Sequence, residues 1–213
     1  MTQAIIFDMD GTLFQTNLIL EPALEATFNK LRSKNLWKGA TPIEQYREIM
    51  GVPLPTVWET LCPMHSSEIR NQSNKWFQQE LIVQIKSGNG ALYHEVEETL
   101  KLLAMKYPLY IASNGEMAYL QAIIEQYQLN RFIQKVYSIE CISSNNKSDL
   151  VQWIIKENHI TRGYVIGDRS SDLQAAKDNQ LTSIGVRFDF AQESELELAN
   201  YVVTSFKEIL TIV

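Results

Sequence analysis

The fold is decided near the start of the chain, at Ala4-Ile5-Ile6-Phe7-Asp8-Met9-Asp10-Gly11-Thr12. An apolar run of four residues passes directly into two carboxylates spaced two apart. A short Ile-rich run bounded by a turn signal predicts a buried strand. Asp-Gly after a strand is also an ordinary turn. The carboxylate pair gains meaning only if other strand ends bring partners to it.

Two other runs end in the same way. Leu109-Tyr110-Ile111-Ala112 leads into Ser113-Asn114-Gly115, and Tyr164-Val165-Ile166 leads into Gly167-Asp168, with Asp172 four residues on. Thr182-Ser183-Ile184-Gly185-Val186 and Tyr201-Val202-Val203 read as two further strands. Between them lie helical stripes: Leu120, Ile123, Ile124 and Tyr127 on one face, Leu150, Val151 and Ile154 on another, with Ser148 expected to cap the second helix. Strand–helix alternation predicts an α/β fold, a three-layer Rossmann-like parallel sheet with helices on both faces. Ligands in such sheets bind at the carboxyl ends of the strands, where Asp8, Ser113 and Asp168 fall.

The alternation is interrupted after Gln15. A helical stripe at Leu20, Leu24, Phe28 and Leu31 is followed by helical stretches at residues 43–50, 57–61 and 69–85. Gly39, Gly51, Pro53, Pro55 and Pro63 break them. The expected organisation is a core of residues 1–15 and 88–213, with an inserted helical cap at 16–87. Ser87-Gly88-Asn89-Gly90 reads as the return joint.

Composition sets the limits. The 213 residues are 45% hydrophobic and 21% charged, the balance of a globular protein. Nineteen basic against 25 acidic side chains give a net charge of −6, which does not suit a nucleic-acid binder. A small anionic substrate fits, because a pocket needs only one or two local cations. No stretch reaches the roughly 18 apolar residues of a spanning helix, and no signal sequence fits the first run. Cys62 and Cys141 are far apart and outside any metal motif, so both are expected to be buried apolar residues in a reducing cytoplasm. His65, His94 and His159 lack metal-ligand spacing. Trp37, Trp58, Trp76 and Phe77 read as core of the inserted helices.

If the strands are parallel neighbours, Asp8, Asp10, Asp168 and Asp172 converge. Like charges about 4 Å apart repel by roughly 4 kcal/mol at an effective dielectric of 20. Such a cluster keeps protons or holds a cation, and hard oxygen ligands suit Mg²⁺. Lys147, before a helix start, is the counter-charge. Ser113 and Asn114 offer polar groups near a helix N-terminus, a setting that favours an anion.

These motifs, Asp8-x-Asp10-Gly11-Thr12, Ser113, Lys147 and Gly167-Asp168-x-x-x-Asp172, resemble the haloacid dehalogenase-like hydrolase superfamily in type, order and element. The helical insertion is similar to that of its phosphoglycolate phosphatase-like branch, which includes β-phosphoglucomutase and small pyrophosphatases. The resemblance implies a Mg²⁺-dependent phosphatase acting on a small phosphorylated metabolite, as a monomer or homodimer. It implies Asp8 as nucleophile and Asp10 as general acid and base. Thr12, Ser113, Asn114 and Lys147 would hold phosphate. Asp8, the Asp10 carbonyl and Asp168 would ligate the metal, with Asp172 supporting it. Dehalogenating members lack the second aspartate, so Asp10 favours phosphate transfer. A phosphomutase, a pyrophosphatase, a dehalogenase and a non-catalytic binding module remain as alternatives. Arg47, Met50 and Gly51 resemble the branch's specificity segment. Three departures stand out: Phe14-Gln15-Thr16 after the first motif, His94-Glu95 where Pro-Gly is usual, and Gln180 where a helix-ending glycine is common. None is expected to touch the chemistry; the first bears on substrate choice.

Overall fold

The computed structural model describes residues 2–49, 52 and 54–213. In chain order the elements are β1 (Thr2–Phe7), α1 (Asn17–Ser33), α2 (Ile43–Glu48), α3 (Leu54–Leu61), α4 (Ser67–Lys86), α5 (Val96–Ala104), β2 (Leu109–Ser113), α6 (Met117–Gln126), β3 (Ile133–Ser138), α7 (Lys147–Glu157), β4 (Ile160–Gly167), α8 (Ser170–Asp178), β5 (Thr182–Val186), α9 (Glu193–Leu196) and β6 (Tyr201–Val203). Short 3₁₀ turns join several of them.

Six strands form one sheet in the order β3-β2-β1-β4-β5-β6, every pair parallel. The chain builds outward from β1 to one side, then returns to add β4 on the other. This reversal between β1 and β4 is the switch point at which parallel sheets open a crevice. Register places Phe7 beside Ile166, so the loops after the two strands start side by side. β1 is covered on both faces, as its unbroken apolar run requires. Ile5 and Phe7 pack into one core, and Ala4 and Ile6 into another on the opposite face.

β3 is absent from the sequence reading. It is an edge strand whose middle residues Gln134 and Lys135 are exposed, so no continuous apolar run marks it. Ser148 does not cap α7. Asn146 does, its side chain accepting from the Ser148 backbone N–H, and Lys147 is the first helical residue. Cys62 is buried as expected, but Cys141 is exposed.

The four helices α1–α4 lie between β1 and α5. Their interior is aromatic: Phe28 meets Trp37 edge-on at 4.8 Å, and Trp58 meets Phe77 edge-on at 5.8 Å. The two crossings between these helices and the sheet are tied together. Gln15 N donates to Ala91 O at 2.8 Å, Tyr93 N donates to Leu13 O at 3.0 Å, and the Gln15 side chain donates to Leu92 O at 2.7 Å. A second tie runs from Trp58 Nε1 to Asn74 at 2.9 Å and from Asn74 to Glu116, ahead of α6, at 2.5 Å.

Two departures from the family pattern prove to be left-handed positions, which explains the usual glycines there. Glu95 has φ +67° and Gln180 has φ +56°. Glu95 has compensation: its carboxylate accepts from Ser205 Oγ at 2.6 Å and Lys207 N at 3.3 Å. Gln180 is exposed at the end of α8. A left-handed non-glycine costs about 1–2 kcal/mol, and glycine's extra unfolded-state entropy returns roughly half of that. Gln180→Gly should therefore raise stability by ~0.5–1 kcal/mol, a gain of about 1–4 °C in the unfolding midpoint. Glu95→Gly should give no such gain, because it removes two bonds. Thermal unfolding of both variants checks this; equal effects would contradict it.

Candidate active site

The site lies at the carboxyl ends of β1, β2 and β4. Asp8 follows β1, Ser113 ends β2, Asp168 follows β4, and Lys147 opens α7. Asp8, Lys147, Asp168 and Asp172 are each 7% exposed or less. Oxygens of Asp8, Asp168 and Asp172 all lie within 4.8 Å of one another. The Lys147 ammonium lies 2.6 Å from Asp8 Oδ1 and also pairs with Asp172 Oδ1. Three buried carboxylates thus cluster around one buried cation that pairs with two of them.

The loops reach this density because two residues lack side chains. Gly11 has φ +73°, and a Cβ there would sit 2.4 Å from Asp168 Oδ2. A Cβ on Gly167 would sit 2.2 Å from Asp172 Cγ. Three backbone N–H groups, of Thr12, Leu13 and Phe14, converge on Met9 O and fix the first loop. Asp172 Oδ2 accepts from Arg169 N at 3.2 Å, closing the start of α8. Arg169 is held by Glu195, at 2.9 Å from its Nε, and Glu195 also accepts from Ser170 N at 2.7 Å.

Electrostatics follows from burial. Desolvation pushes the Asp8 carboxyl up to about 7; Lys147 opposes the shift and Asp172 and Asp10 add to it. Asp168 is raised well above the carboxylate range by burial and then by Asp8 and Asp172. Burial works against the charge on Lys147, but Asp172 and Asp8 outweigh it and raise its pKa. A site with this charge imbalance holds protons or a divalent cation, and its three carboxylates are a hard-oxygen donor set.

Asp10 has a different role. Its side chain is not in the trio. Asp10 Oδ1 accepts from Thr16 Oγ1 and from the Tyr119 hydroxyl, each at 2.5 Å. Burial raises its pKa, and the two hydroxyls and Lys147 oppose that. Thr16 and Tyr119 are the residues that sequence reasoning missed. Thr16 belongs to the Phe14-Gln15-Thr16 departure, which therefore contacts Asp10, one of the expected site residues. Tyr119 lies on α6, where nothing in its spacing separates it from a core position.

The other expected residues fall as follows. Thr12 is fully buried and donates to Asp168 Oδ1 at 3.2 Å, so it braces the loop. The Ser113 hydroxyl, 1% exposed, accepts from Gly115 N at 3.0 Å. Ser113, Asn114, Lys147 and the four aspartates line one cavity. A second cavity shares Asp10 and Asn114 with it and extends to Tyr46, Phe77, Gln78 and Leu81 of the inserted helices. Arg47 is not among its lining residues; it is exposed and pairs with Glu44 at 2.7 Å and Glu21 at 3.6 Å. Its neighbour Tyr46 turns inward instead. Met50 and Gly51 lie outside the described residues.

Comparison with known proteins agrees with this geometry. Residues 5–186 match the family model described as haloacid dehalogenase-like hydrolase. The chain is 22% identical over 222 residues to a phosphoglycolate phosphatase of Vibrio vulnificus, covering 98% of this chain and 95% of that protein. It is 24% identical over 190 residues to the pyrophosphatase PpaX of Listeria welshimeri, covering 85% and 82%. The fold superposes on CbbY from Rhodobacter sphaeroides, solved in complex with phosphate, with a TM-score of 0.83 at 17% identity, covering 98% and 96%. Among the described residues no helix is long and apolar enough to cross a membrane. With its family model matched across most of its length and the buried carboxylates gathered at the sheet's switch point, the chain belongs to the haloacid dehalogenase-like hydrolase family.

Proposed function

We propose that the protein is a Mg²⁺-dependent phosphatase that hydrolyses a small phosphorylated metabolite through an aspartyl-phosphate on Asp8. One observation carries the reading: three buried carboxylates cluster, two of them paired with Lys147, while a fourth, Asp10, stands apart between two cavities. The names of the Vibrio and Listeria relatives support phosphate chemistry. Residues 16–87 serve as the cap. The two free cysteines support a cytoplasmic setting.

Asp8, Asp168 and Asp172, with the Asp10 carbonyl, would hold Mg²⁺; their hard oxygens suit it. When bound, the ion neutralises charge on the phosphoryl group. Lys147 anchors one oxygen of Asp8, and the other attacks phosphorus in line. The bond from phosphorus to the substrate oxygen breaks, and Asp10 gives its proton to the departing oxygen. Burial raises the Asp10 pKa, which favours the proton-carrying form this role needs. Asp10, now a carboxylate, takes a proton from water as the water attacks the aspartyl-phosphate. Inorganic phosphate leaves and Asp8 is regenerated. An ammonium has three N–H donors. Two of those on Lys147 are engaged by Asp8 and Asp172, which leaves the third for a phosphoryl oxygen beside Ser113 and Asn114.

Asp8→Asn should abolish turnover, by about a thousandfold or more, while the unfolding midpoint stays within a few degrees of wild type. Residual activity above a tenth would contradict the nucleophile assignment. The check is initial-rate assays on phosphate esters alongside thermal unfolding.

The raised carboxyls give a pH dependence. In the unfolded chain they titrate near pH 4. In the metal-free fold Asp8 holds its proton to about 7. Stability from these groups is thus full below about pH 4 and lost as pH rises through the folded values. On these carboxylates a bound Mg²⁺ would stand in place of the protons. The rise in unfolding midpoint on adding Mg²⁺ should therefore grow from pH 5 to pH 8, by at most about 1.4 kcal/mol per pH unit for each proton displaced. An equal rise at both values, or undiminished turnover in chelator, would remove the metal from the account.

Tyr119→Phe removes one donor from the Asp10 carboxylate, so the Asp10 pKa should rise. The expected result is a roughly tenfold fall in kcat, with the basic limb of its pH profile moved to higher pH. A fall in kcat with an unmoved limb would make Tyr119 merely structural.

A further inference from the structure

From the cavity beside Asp10 we infer that the departing group is uncharged and carries a hydroxyl, and that Gln78 recognises it. The substrate class is a neutral, hydroxyl-bearing phosphate monoester rather than a bisphosphate, a pyrophosphate or a phosphorylated carboxylic acid. This inference rests on the phosphatase reading and deepens it.

The phosphate belongs next to Lys147 and Ser113, in the first cavity. Asp10, as proton donor to the departing oxygen, marks where the ester begins. The organic part must then extend into the cavity that shares Asp10 and Asn114. Its described lining is Asp10, Thr16, Tyr46, Val52, Phe77, Gln78, Leu81, Asn114, Gly115 and Tyr119, and none of these is a cation. Met50, Gly51 and Pro53, between α2 and α3, have no ionisable side chain either. The nearby cations are already engaged: Lys147 by Asp8 and Asp172, Arg169 by Glu195, Arg47 by Glu44 on the outer surface. A second anionic group on the substrate would enter this cavity beside Asp10, with no counter-charge in its described lining. Burying an unpaired charge is costly enough to exclude it.

Gln78 supplies the positive half of the argument. It lies on α4 and is only 7% exposed, yet its Oε1 has no hydrogen-bond partner. A buried amide oxygen without a donor is a standing cost unless a ligand completes it. A hydroxyl serves either end of a carboxamide, as donor or acceptor. Phe77, Leu81 and Tyr46 provide apolar surface around it for the carbon skeleton. The combination of one amide and several apolar walls fits a hydroxylated carbon chain or ring.

The test uses the full-length purified protein with Mg²⁺. Initial rates are compared for methyl phosphate, glycerol 2-phosphate, a hexose 6-phosphate, phosphoglycolate, pyrophosphate and a hexose bisphosphate. In wild type, kcat/KM for the better hydroxylated monoester should exceed each of the three anionic substrates by about tenfold or more. Gln78→Leu should lower the ratio of that monoester to methyl phosphate by about 5- to 10-fold, the loss of one hydrogen bond. Phosphoglycolate, pyrophosphate or the bisphosphate matching the neutral esters would overturn the inference and leave the phosphatase reading standing. So would an unchanged ratio in a folded Gln78→Leu. No turnover of any ester would sink both. The wild-type comparison decides the matter even if the variant does not fold.

Discussion

The arrangement depends on one buried ion cluster. Lys147 bridges Asp8 and Asp172, and Asp168 completes a trio whose oxygens lie within 4.8 Å. Three carboxylates against one ammonium is not a self-sufficient set. Burial raises Asp8 and Asp168, which favours protons on these carboxyls where no cation is present. Such a cluster is weak evidence for stability, since desolvation offsets much of the attraction. It is better understood as a receptor for positive charge.

The fold supplies this cluster at the point where the sheet changes direction. β1 and β4 are neighbours although more than 150 residues separate them, and their loops start level. Gly11 and Gly167 allow those loops to close over carboxylates that a side chain would displace. Lys147 comes from the helix after the edge strand β3, positioned by the Asn146 cap. The inserted helices add what the core lacks: an apolar wall, and a glutamine whose carbonyl awaits a partner.

Much of this was legible in the amino-acid sequence, because the determining residues sit at strand ends. Apolar runs that stop at Asp8, Ser113 and Asp168 announce both the parallel sheet and the place where its polar residues meet. β3 was hidden because an edge strand needs no unbroken apolar run. Thr16, Tyr119 and Gln78 were hidden for another reason. Each is a single polar residue on or beside a helix, and only the packing of the insertion against α6 decides that it faces Asp10 or the cavity next to it. Arg47 misled in the reverse sense: it sits beside the inward-facing Tyr46, but its own side chain serves surface carboxylates. Position along a helix does not settle which face is inside until the partner surface is known.

Division of labour between the two cavities gives the site its logic. In the proposed function, one would neutralise a phosphoryl group by charge, and the other would accept the remainder of the molecule by shape and a single polar contact. The account's central claim is that the cluster exchanges protons for a divalent ion. Calorimetric titration of the full chain with Mg²⁺ near pH 6, in buffers of differing ionisation enthalpy, measures this directly. The account predicts one ion bound with release of at least one proton, and loss of binding in Asp168→Asn. Binding without proton release, or binding that survives that substitution, would contradict it.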